Sequence, residues 1–378
     1  MAHADRATAR IAALISMRIL FLGKRYYTNK DALRERYGRI YQLPFRWHAA
    51  GQSVELVLID YRGVRAEHTD VDGFPVHSLP MLTPMTCLRL RSLARQLRPD
   101  VIVASGDCFI GLAGLRLAQQ FGASFVFDAY DDYRTFGAYR AFLGWDAFGY
   151  LRRHSTLVLY ASRVLADEHC AAAAVHVVPN GVDPGQFRPI DRNVSRGRAA
   201  LVNGDAALVG YFGGMDAERG VEDLVEAVGI LNANGQSVRL VLCGPMRRGL
   251  TIDHPWVDWR GAVEHAVIPD FINACDVVVL PYRRGPIIDM ASSCKIAEYL
   301  LCERPLVATD TPNFVRNFPR QAGELGAALC RPADPVDLAR AIAMQLQRQL
   351  LVSRPDEHTW SRIAGDALVA LERVTGLR

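Results

Sequence analysis

The amino-acid sequence predicts an α/β protein made of two doubly wound parallel-sheet domains. Short runs rich in Val, Ile and Leu alternate along the chain with stretches of helical periodicity, which is the pattern of parallel strands covered by helices on both faces. The apolar runs fall into two groups, separated by a segment rich in proline, glycine and polar residues. A chain of 378 residues has room for two such domains and their cores.

The first group of apolar runs predicts five strands and the second group predicts four. They lie at residues 18–22, 54–59, 101–105, 124–128 and 156–160, and then at 207–212, 238–242, 276–281 and 305–308. Helical spacing of apolar residues appears between them, as in the sets Leu90, Leu93, Ala94, Leu97 and Val221, Leu224, Val225, Val228. Ligands bind beyond the carboxyl ends of strands in doubly wound sheets, so two such domains facing each other predict a central cleft.

Segments rich in turn- and loop-forming residues predict the domain boundaries. We expect a dispensable leader at residues 1–16, an N-terminal domain at 17–183, a linker at 184–204, a C-terminal domain at 205–355 and a final helical segment at 356–378. A signal peptide is the competing interpretation of the leader, but cleavage there would remove the strand that begins near Met17.

Composition indicates a cytoplasmic protein with no transmembrane helix and no nucleic-acid partner. No apolar run reaches the ~18 residues of a membrane span, and the eight cysteines form no CxxC pair, as expected of reduced thiols. Net charge is +4, and residues 1–183 hold 22 basic against 17 acidic side chains, a bias too weak to predict nucleic-acid binding. The stripe Arg91, Arg95 and Arg98 suits peripheral contact with an anionic inner membrane face, and a solvated basic face explains it equally well.

The segment around Lys295 carries the clearest chemical signal. Ser292 and Ser293 are good N-caps for a following helix, which places Lys295 in its first turn. A cation there opposes the helix dipole, so it suits a site where phosphate docks on the free amides of the helix start. The competing interpretation is a surface ion pair between Lys295 and Glu298, worth only ~0.3–0.5 kcal/mol.

A second helix start of the same domain points to the same ligand. The predicted strand 207–212 ends in Gly213 and Gly214, which would let a ligand approach the backbone closely. Arg219 precedes the next helix, and two helix starts that each carry a cation suit a diphosphate. A plain turn and an Arg219–Glu222 pair are the alternatives.

These segments resemble those of the retaining glycosyltransferase family 4, whose members have the GT-B fold of two Rossmann-like domains. The resemblance is carried by Val177–Asp183 with Phe187–Pro189, Tyr211–Val221, Trp259–Val263, Ile268–Asp270, Cys275–Tyr282, Ser293–Leu300 and Arg304–Asp310. It extends from Met17 to about Leu346, closely in the C-terminal domain and loosely in the N-terminal one. It implies a bacterial hexosyltransferase of polysaccharide or glycolipid synthesis, with a nucleoside-diphosphate-sugar donor in the C-terminal domain and a sugar or lipid-linked acceptor in the other.

The resemblance also implies roles for individual residues. Glu298 falls where the family binds the nucleotide ribose, and Arg219 where it has a diphosphate-binding lysine, while Gly214 replaces the companion arginine and Lys295 would compensate. The family's other glutamate falls on Met290 here, and we predict that the neighbouring Asp289 holds hydroxyls of the donor sugar instead. The predicted donor-binding residues are Gly213, Gly214, Arg219, Gly244, Gly261, Asp289, Ser292, Ser293, Lys295 and Glu298. Arg219 and Lys295 are also predicted to be catalytic, because they would stabilise the charge on the departing nucleotide.

The N-terminal domain departs further from the family pattern. Tyr130 and Asp131 stand where a His–Asp pair often faces the donor sugar, so Asp131 is a third predicted catalytic residue. Tyr26, Tyr27 and Asp128 are predicted to bind the acceptor. The competing interpretations are turn formation and helix capping for the aspartates, and a solvated charged helix start for the loop 23–30, whose tyrosines and cations otherwise suit an anionic sugar.

We predict no cofactor and no metal, with the nucleotide sugar as a substrate. The histidines lack ligand spacing, and the string Asp70-Val-Asp72 falls in a polar segment that we predict to be a loop. The predicted reaction is therefore metal-independent, and the resemblance implies transfer with retention of configuration. A sugar-nucleotide epimerase of the same fold and a non-catalytic nucleotide-sugar-binding protein are the rival hypotheses.

Overall fold

The structure, a computed structural model, describes residues 16–27, 30–81, 83–135, 145–169, 174–201 and 204–376. It divides into two compact units. The first holds Met1–Ala161, Leu165–Asn180 and Trp360–Arg378, and the second holds Ser162–Val164 and Gly181–Thr359. The predicted leader, residues 1–16, lies outside the described residues except for Ser16.

The first unit is built on a sheet of eight strands in the order β10-β9-β8-β7-β1-β4-β6-β5. Its strands are β1 (Arg18–Lys24), β4 (Ser53–Asp60), β5 (Glu67–Val71), β6 (Phe74–Pro80), β7 (Val101–Ser105), β8 (Ser124–Ala129), β9 (Leu157–Tyr160) and β10 (Ala174–Val177). All neighbours pair in parallel except β5 and β6, which are antiparallel. A separate antiparallel two-stranded sheet pairs β2 (Tyr26–Tyr27) with β3 (Lys30–Asp31).

Helices cover this sheet and bury its apolar side chains. They are α1 (Arg39–Ala49), α2 (Pro84–Leu97), α3 (Cys108–Phe121), α4 (Ala147–His154), α5 (Arg163–Glu168, divided between the units) and α14 (Trp360–Thr375). The last helix returns to the first unit, where Trp47 Nε1 of α1 donates to the carbonyl oxygen of Ala364 at 2.8 Å. Trp360, Ile363 and Leu371 thus join the core of the first unit.

The second unit has a parallel six-stranded sheet in the order β13-β12-β11-β14-β15-β16. Its strands are β11 (Ala207–Phe212), β12 (Val238–Cys243), β13 (Val257–Trp259), β14 (Val277–Leu280), β15 (Leu306–Thr309) and β16 (Leu329–Cys330). Its helices are α6 (Arg192–Arg198), α7 (Val221–Ala233), α8 (Ile268–Ala274), α9 (Pro286–Met290), α10 (Cys294–Leu301), α11 (Pro312–Val315), α12 (Pro319–Leu325) and α13 (Pro335–Arg348). The prediction of two α/β units with parallel sheets is confirmed.

Residues 184–201 of the predicted linker lie in the second unit and are ordered by its core. Phe187 and Leu201 are buried there. The helix α6 is tied to the start of β14 because Arg192 Nη1 and Arg196 Nη2 donate to the Asp276 carboxylate at 2.6 and 2.9 Å.

The prediction that the segment with Asp70 and Asp72 is a loop is wrong. Asp70 lies in β5, which pairs with β6, and Asp72 belongs to the turn between them with φ 54°. Within the described residues, no helix is long and apolar enough to cross a membrane.

Candidate functional site

Three predicted donor-binding glycines meet at the carboxyl ends of β11, β12 and β13. The amide of Gly213 donates to the carbonyl of Cys243 at 2.7 Å, and the amide of Gly244 donates to the carbonyl of Gly261 at the same distance. A Cβ on Gly244 would lie 2.0 Å from the carbonyl oxygen of Gly213. Only glycine therefore permits the two strand ends to approach this closely.

The ammonium of Lys295 lies against this glycine edge. A Cβ built on Gly213, whose φ is +148°, would lie 1.7 Å from Lys295 Cε and 2.6 Å from Nζ. No carboxylate of the described residues forms an ion pair with Lys295, so the alternative Lys295–Glu298 surface pair is absent from that part of the chain. The lysine instead presents an unneutralised charge beside exposed backbone.

The start of α10 has a serine at its N-cap position. Ser293 occupies the N-cap position, but its side chain makes no capping hydrogen bond. Its hydroxyl contacts the Tyr282 hydroxyl at 3.0 Å instead, and Ser292 beside it is partly buried. The predicted helix start with Ser293 at its N-cap position is thus confirmed, although the serine hydroxyl faces Tyr282 instead of a backbone amide. The amides at a helix start are a ready site for an anion.

Arg219 reaches the same tyrosine from the other helix start. Its guanidinium carbon lies 5.4 Å from the centre of the Tyr282 ring, and Nη1 is 3.5 Å from the Tyr282 hydroxyl. The alternative Arg219–Glu222 pair is not formed, because Arg247 and Arg283 bind the Glu222 carboxylate. The Tyr282 hydroxyl thereby contacts both Arg219, which precedes one helix, and Ser293, at the start of the helix that carries Lys295.

Glu298 is nearly buried one turn beyond Lys295, and a histidine holds it. Its side chain is 6% exposed, and its Oε1 lies 3.0 Å from Nε2 of His265. The ring of His265 packs against Phe187 at 5.3 Å between ring centres. The carboxylate is therefore oriented by residues of its own unit.

Only one of the two carboxylate oxygens of Asp289, in α9, accepts a hydrogen bond within the described residues. Oδ2 accepts from Arg284 Nε at 2.9 Å, whereas Oδ1 is buried and has no hydrogen-bond partner within the described residues. A buried acceptor without a donor is costly, so a ligand hydroxyl at Oδ1 would relieve an existing penalty. The sequence-based role of Asp289 fits this geometry.

In the first unit, Asp131 forms a partly buried pair with Tyr27. The Tyr27 hydroxyl donates to Asp131 Oδ2, and the Tyr27 ring stacks on Tyr130 at 4.4 Å between ring centres. Burial raises the pKa of Asp131 to about 6, although the hydrogen bond from Tyr27 and the charge of Arg39 oppose the shift. Asp131 is thus a carboxyl group that changes charge near neutral pH.

The other predicted acceptor residues are engaged within the unit. Asp128 has no exposed surface, and its carboxylate binds Arg39 and accepts from Ser105 Oγ at 2.5 Å. This observation favours a structural role over the predicted acceptor contact, because the shielded carboxylate already has partners. Tyr26 lies between Arg25 and Arg62, whose guanidinium carbons are 5.3 and 4.3 Å from its ring centre.

The cations predicted to attract an anionic acceptor are also paired. Arg25 is 3% exposed and binds Asp31 and Asp60. Lys24 lies 3.6 Å from Asp107, and Lys30 lies 2.7 Å from Glu35. These charges stabilise the fold locally. Tyr26–Tyr27 pairs as a strand with Lys30–Asp31, so the described part of this loop is not the helix start that was the alternative.

Comparison with known families agrees with the geometry of the second unit. The model described as "Glycosyl transferases group 1" matches residues 206–348, and the one described as "Glycosyl transferase 4-like domain" matches residues 39–181. Together the two ranges span about three-quarters of the chain. The chain belongs to the group 1 glycosyltransferases.

Individual relatives support this group 1 assignment. The chain is 32% identical over 138 residues to the alpha-D-kanosaminyltransferase of Streptomyces kanamyceticus, covering 33% of this chain and 34% of that protein. It is 24% identical over 149 residues to the putative teichuronic acid biosynthesis glycosyltransferase TuaH of Bacillus subtilis (strain 168), covering 37% and 35%. The alignments thus span about a third of the length of these relatives.

The fold is GT-B. The structure of the Anabaena protein Alr3699/HepE in complex with UDP matches 96% of this chain and 97% of that one, with a TM-score of 0.64 and 17% identity.

Sequence reasoning missed two side chains of this group 1 glycosyltransferase that organise the site. Tyr282 ends a recognised motif, yet its link to both helix starts depends on tertiary contacts alone. His265 follows the Trp259–Val263 motif in a 3₁₀ turn, His265–Val267. No periodicity or spacing marks either residue, because each partner lies far away along the chain.

Proposed function

We propose that this chain is a retaining, metal-independent hexosyltransferase that uses a nucleoside-diphosphate sugar as its donor. The observation that carries the proposal is the unneutralised ammonium of Lys295 over the backbone of Gly213. Around it lie the start of α10, where the Ser293 side chain makes no capping hydrogen bond, and, through Tyr282, the guanidinium of Arg219. Two cations beside a helix start suit a diphosphate, although Arg219 Nε also pairs with the exposed Asp216 carboxylate at 3.4 Å.

The same groups suit the chemical step. Transfer breaks the bond between the anomeric carbon and the diphosphate oxygen, and negative charge grows on the leaving phosphate. Lys295 and Arg219 would stabilise that charge more in the transition state than in the ground state, which is how a fixed electrostatic site accelerates a reaction. These two cations would supply the charge stabilisation that a metal ion supplies at other phosphate sites, which supports metal independence.

Two carboxylates would orient the donor. Glu298 would accept hydrogen bonds from the ribose hydroxyls, and the orphaned Oδ1 of Asp289 would accept one from a hydroxyl of the transferred sugar. HepE is in complex with UDP and the kanosaminyltransferase is named for the kanosaminyl group, which supports UDP as the first nucleotide to test and a sugar as the transferred group. The acceptor would be a sugar or a lipid-linked sugar.

A nucleotide screen tests the donor site directly. The melting temperature is measured with UDP, GDP, ADP and CDP, and a nucleotide at 100 times its dissociation constant should add about 2.7 kcal/mol of stability. Glu298→Ala should weaken nucleotide binding by ~1.5–3 kcal/mol, the range for hydrogen bonds to a charged group. Lys295→Ala and Arg219→Ala should weaken diphosphate binding far more than nucleoside binding.

The matched control is Arg331→Ala on the same unit. Arg331 is 76% exposed and pairs with Asp334 and Asp337. Its removal should leave nucleotide affinity unchanged and lower the free energy of unfolding by at most ~1 kcal/mol. Unchanged affinity in all three site variants, in folded protein, would contradict the proposed donor site. Release of nucleotide from a nucleotide sugar only when an acceptor is added would exclude both a binding protein and an epimerase.

A further inference from the structure

The carboxylate of Glu298 is connected to the segment that precedes the second unit's sheet. Oε1 contacts Nε2 of His265 at 3.0 Å, and Oε2 accepts no hydrogen bond from any residue that the structure describes. On its other side, His265 meets Gln186: the Gln186 amide nitrogen lies 3.2 Å from the His265 carbonyl oxygen and 3.4 Å from Nδ1. Phe187 packs against the imidazole ring.

These contacts determine which ring nitrogen carries the proton. A carbonyl oxygen only accepts, so the Gln186 atom that faces it is the NH₂ group. The same NH₂ group faces Nδ1, which therefore accepts, and neutral imidazole then has its hydrogen on Nε2. Nε2 consequently donates to Glu298, and the order of donation is Gln186 to His265 to Glu298.

We propose that His265 is the positioning residue of the ribose-binding carboxylate. Its Nε2–H holds Oε1, which fixes the plane of the carboxylate and directs Oε2 toward the two ribose hydroxyls. The inference rests on the proposed function, since it requires that Glu298 binds ribose. The terminal torsion of a glutamate side chain is otherwise broad, so an unheld carboxylate would meet the diol in the right orientation only part of the time.

Two substitutions separate the hydrogen bond from the packing. His265→Phe keeps an aromatic ring against Phe187 but removes the donor. His265→Gln places an amide NH₂ at about the distance of Nε2 and restores the donor without the ring. Glu298→Ala, alone and combined with His265→Phe, shows whether the histidine acts through the carboxylate.

The probes are UDP, ADP, GDP and CDP, each beside its 2′,3′-dideoxy form, which lacks the diol. His265→Phe should weaken binding of the ribonucleotide that binds best by about tenfold, the loss of a hydrogen bond to a charged group. It should leave the dideoxy form unaffected, and His265→Gln should restore most of the affinity. In turnover, KM for the donor should rise with little change in kcat, because the ribose contacts do not change as the glycosidic bond breaks.

Other outcomes would overturn the inference in distinguishable ways. Equal weakening of the ribo and dideoxy forms would mean that His265 only supports the fold. Unchanged ribonucleotide binding by His265→Phe would mean that the histidine does not position the carboxylate. Tighter binding would mean that the histidine competes with the ribose for it. If Glu298→Ala leaves the preference for the ribo form unchanged, the proposed role of Glu298 fails, and the inference about His265 fails with it. A further loss from His265→Phe in the Glu298→Ala background would contradict action through the carboxylate.

Discussion

The contact between Gly213 and Lys295 predicts that one methyl group will disable the diphosphate site. Gly213→Ala places a Cβ 1.7 Å from Lys295 Cε, whereas carbon atoms in ordinary contact are ~3.5–4 Å apart. The lysine side chain must therefore move by roughly 2 Å. Because it is flexible, it will move away from the glycine edge while the backbone stays folded.

The structure allows both consequences of this substitution to be estimated. The backbone at Gly213 has φ +148°, and holding alanine in a sparsely populated region costs about 1–3 kcal/mol of stability. If the ammonium–phosphate distance grows from about 4 to about 6 Å near the protein surface, the attraction falls by about 1.4 kcal/mol, or roughly tenfold in affinity. The loss should concern nucleoside diphosphates and spare nucleosides.

A double-mutant cycle with Lys295→Ala provides the assay. Diphosphate affinity is measured by calorimetry and stability by urea unfolding for Gly213→Ala, Lys295→Ala and the double variant. The affinity loss from Gly213→Ala should vanish once Lys295 is gone, whereas its stability loss should persist, because backbone strain does not depend on the lysine. Gly197→Ala is the control: Gly197 lies in α6 at an ordinary φ with nothing within 4 Å of its Cβ position, so stability should hold or rise slightly. Additive affinity losses, or full affinity in Gly213→Ala, would refute the placement of Lys295.

Two further predictions concern the first unit. The pKa of Asp131 in the folded protein is raised to about 6 from an ordinary value of 3.8, so the folded state binds this proton more tightly than the unfolded state does. The free energy of unfolding should therefore fall by up to about 3 kcal/mol as pH rises from about 4 through 6. Asp131→Asn should match the wild type in urea unfolding at pH 4 and exceed it at pH 7, and a difference that does not vary with pH would contradict the raised pKa. The exposed face of α2 carries Arg91 and Arg95, followed by Arg98, so the protein should co-sediment with anionic vesicles at low salt but not with neutral ones. At about 1 kcal/mol per basic residue, replacing all three arginines by glutamine should reduce that binding by roughly a hundredfold, and unchanged binding would reject this surface.

The sequence predicted most interior strands of both units because burial on both faces leaves a continuous apolar run. It missed the interior strand β6, whose buried and partly buried residues largely alternate, and it failed at the edges of the sheets. Glu67–Val71 is exposed at four of its five positions, so β5 has no apolar signal and was predicted to be a loop. Ala174–Val177 at the opposite edge of the same sheet is exposed or partly exposed throughout. An edge strand is defined by backbone pairing with its neighbour, which side-chain periodicity does not encode.

The residues of the candidate site could be predicted where they belong to short sequence motifs. They could not be predicted where their role depends on contacts between residues that are distant in the chain. Glycines at strand ends and a lysine at a helix start are local features, so Gly213 and Lys295 could be selected from the sequence. Asp128 was selected by the same reasoning and proved to be enclosed by Arg39 and Ser105. His265 could not be selected, because its partners lie 79 and 33 residues away in the chain.

Several residues at the carboxyl edge of the second sheet are in arrangements that are locally unfavourable. Lys295 opposes the dipole of its own helix, the Ser293 side chain makes no capping hydrogen bond to that helix, Gly213 holds a conformation that other residues avoid, and Asp289 buries an oxygen without a partner. Each feature is unfavourable in the protein alone, and a single bound molecule with a diphosphate and sugar hydroxyls would relieve the electrostatic ones together. Natural sequences depart from their local preferences mainly at functional sites. The coincidence of these four residues at one edge is therefore stronger support for a nucleotide-sugar site than any one of the motifs.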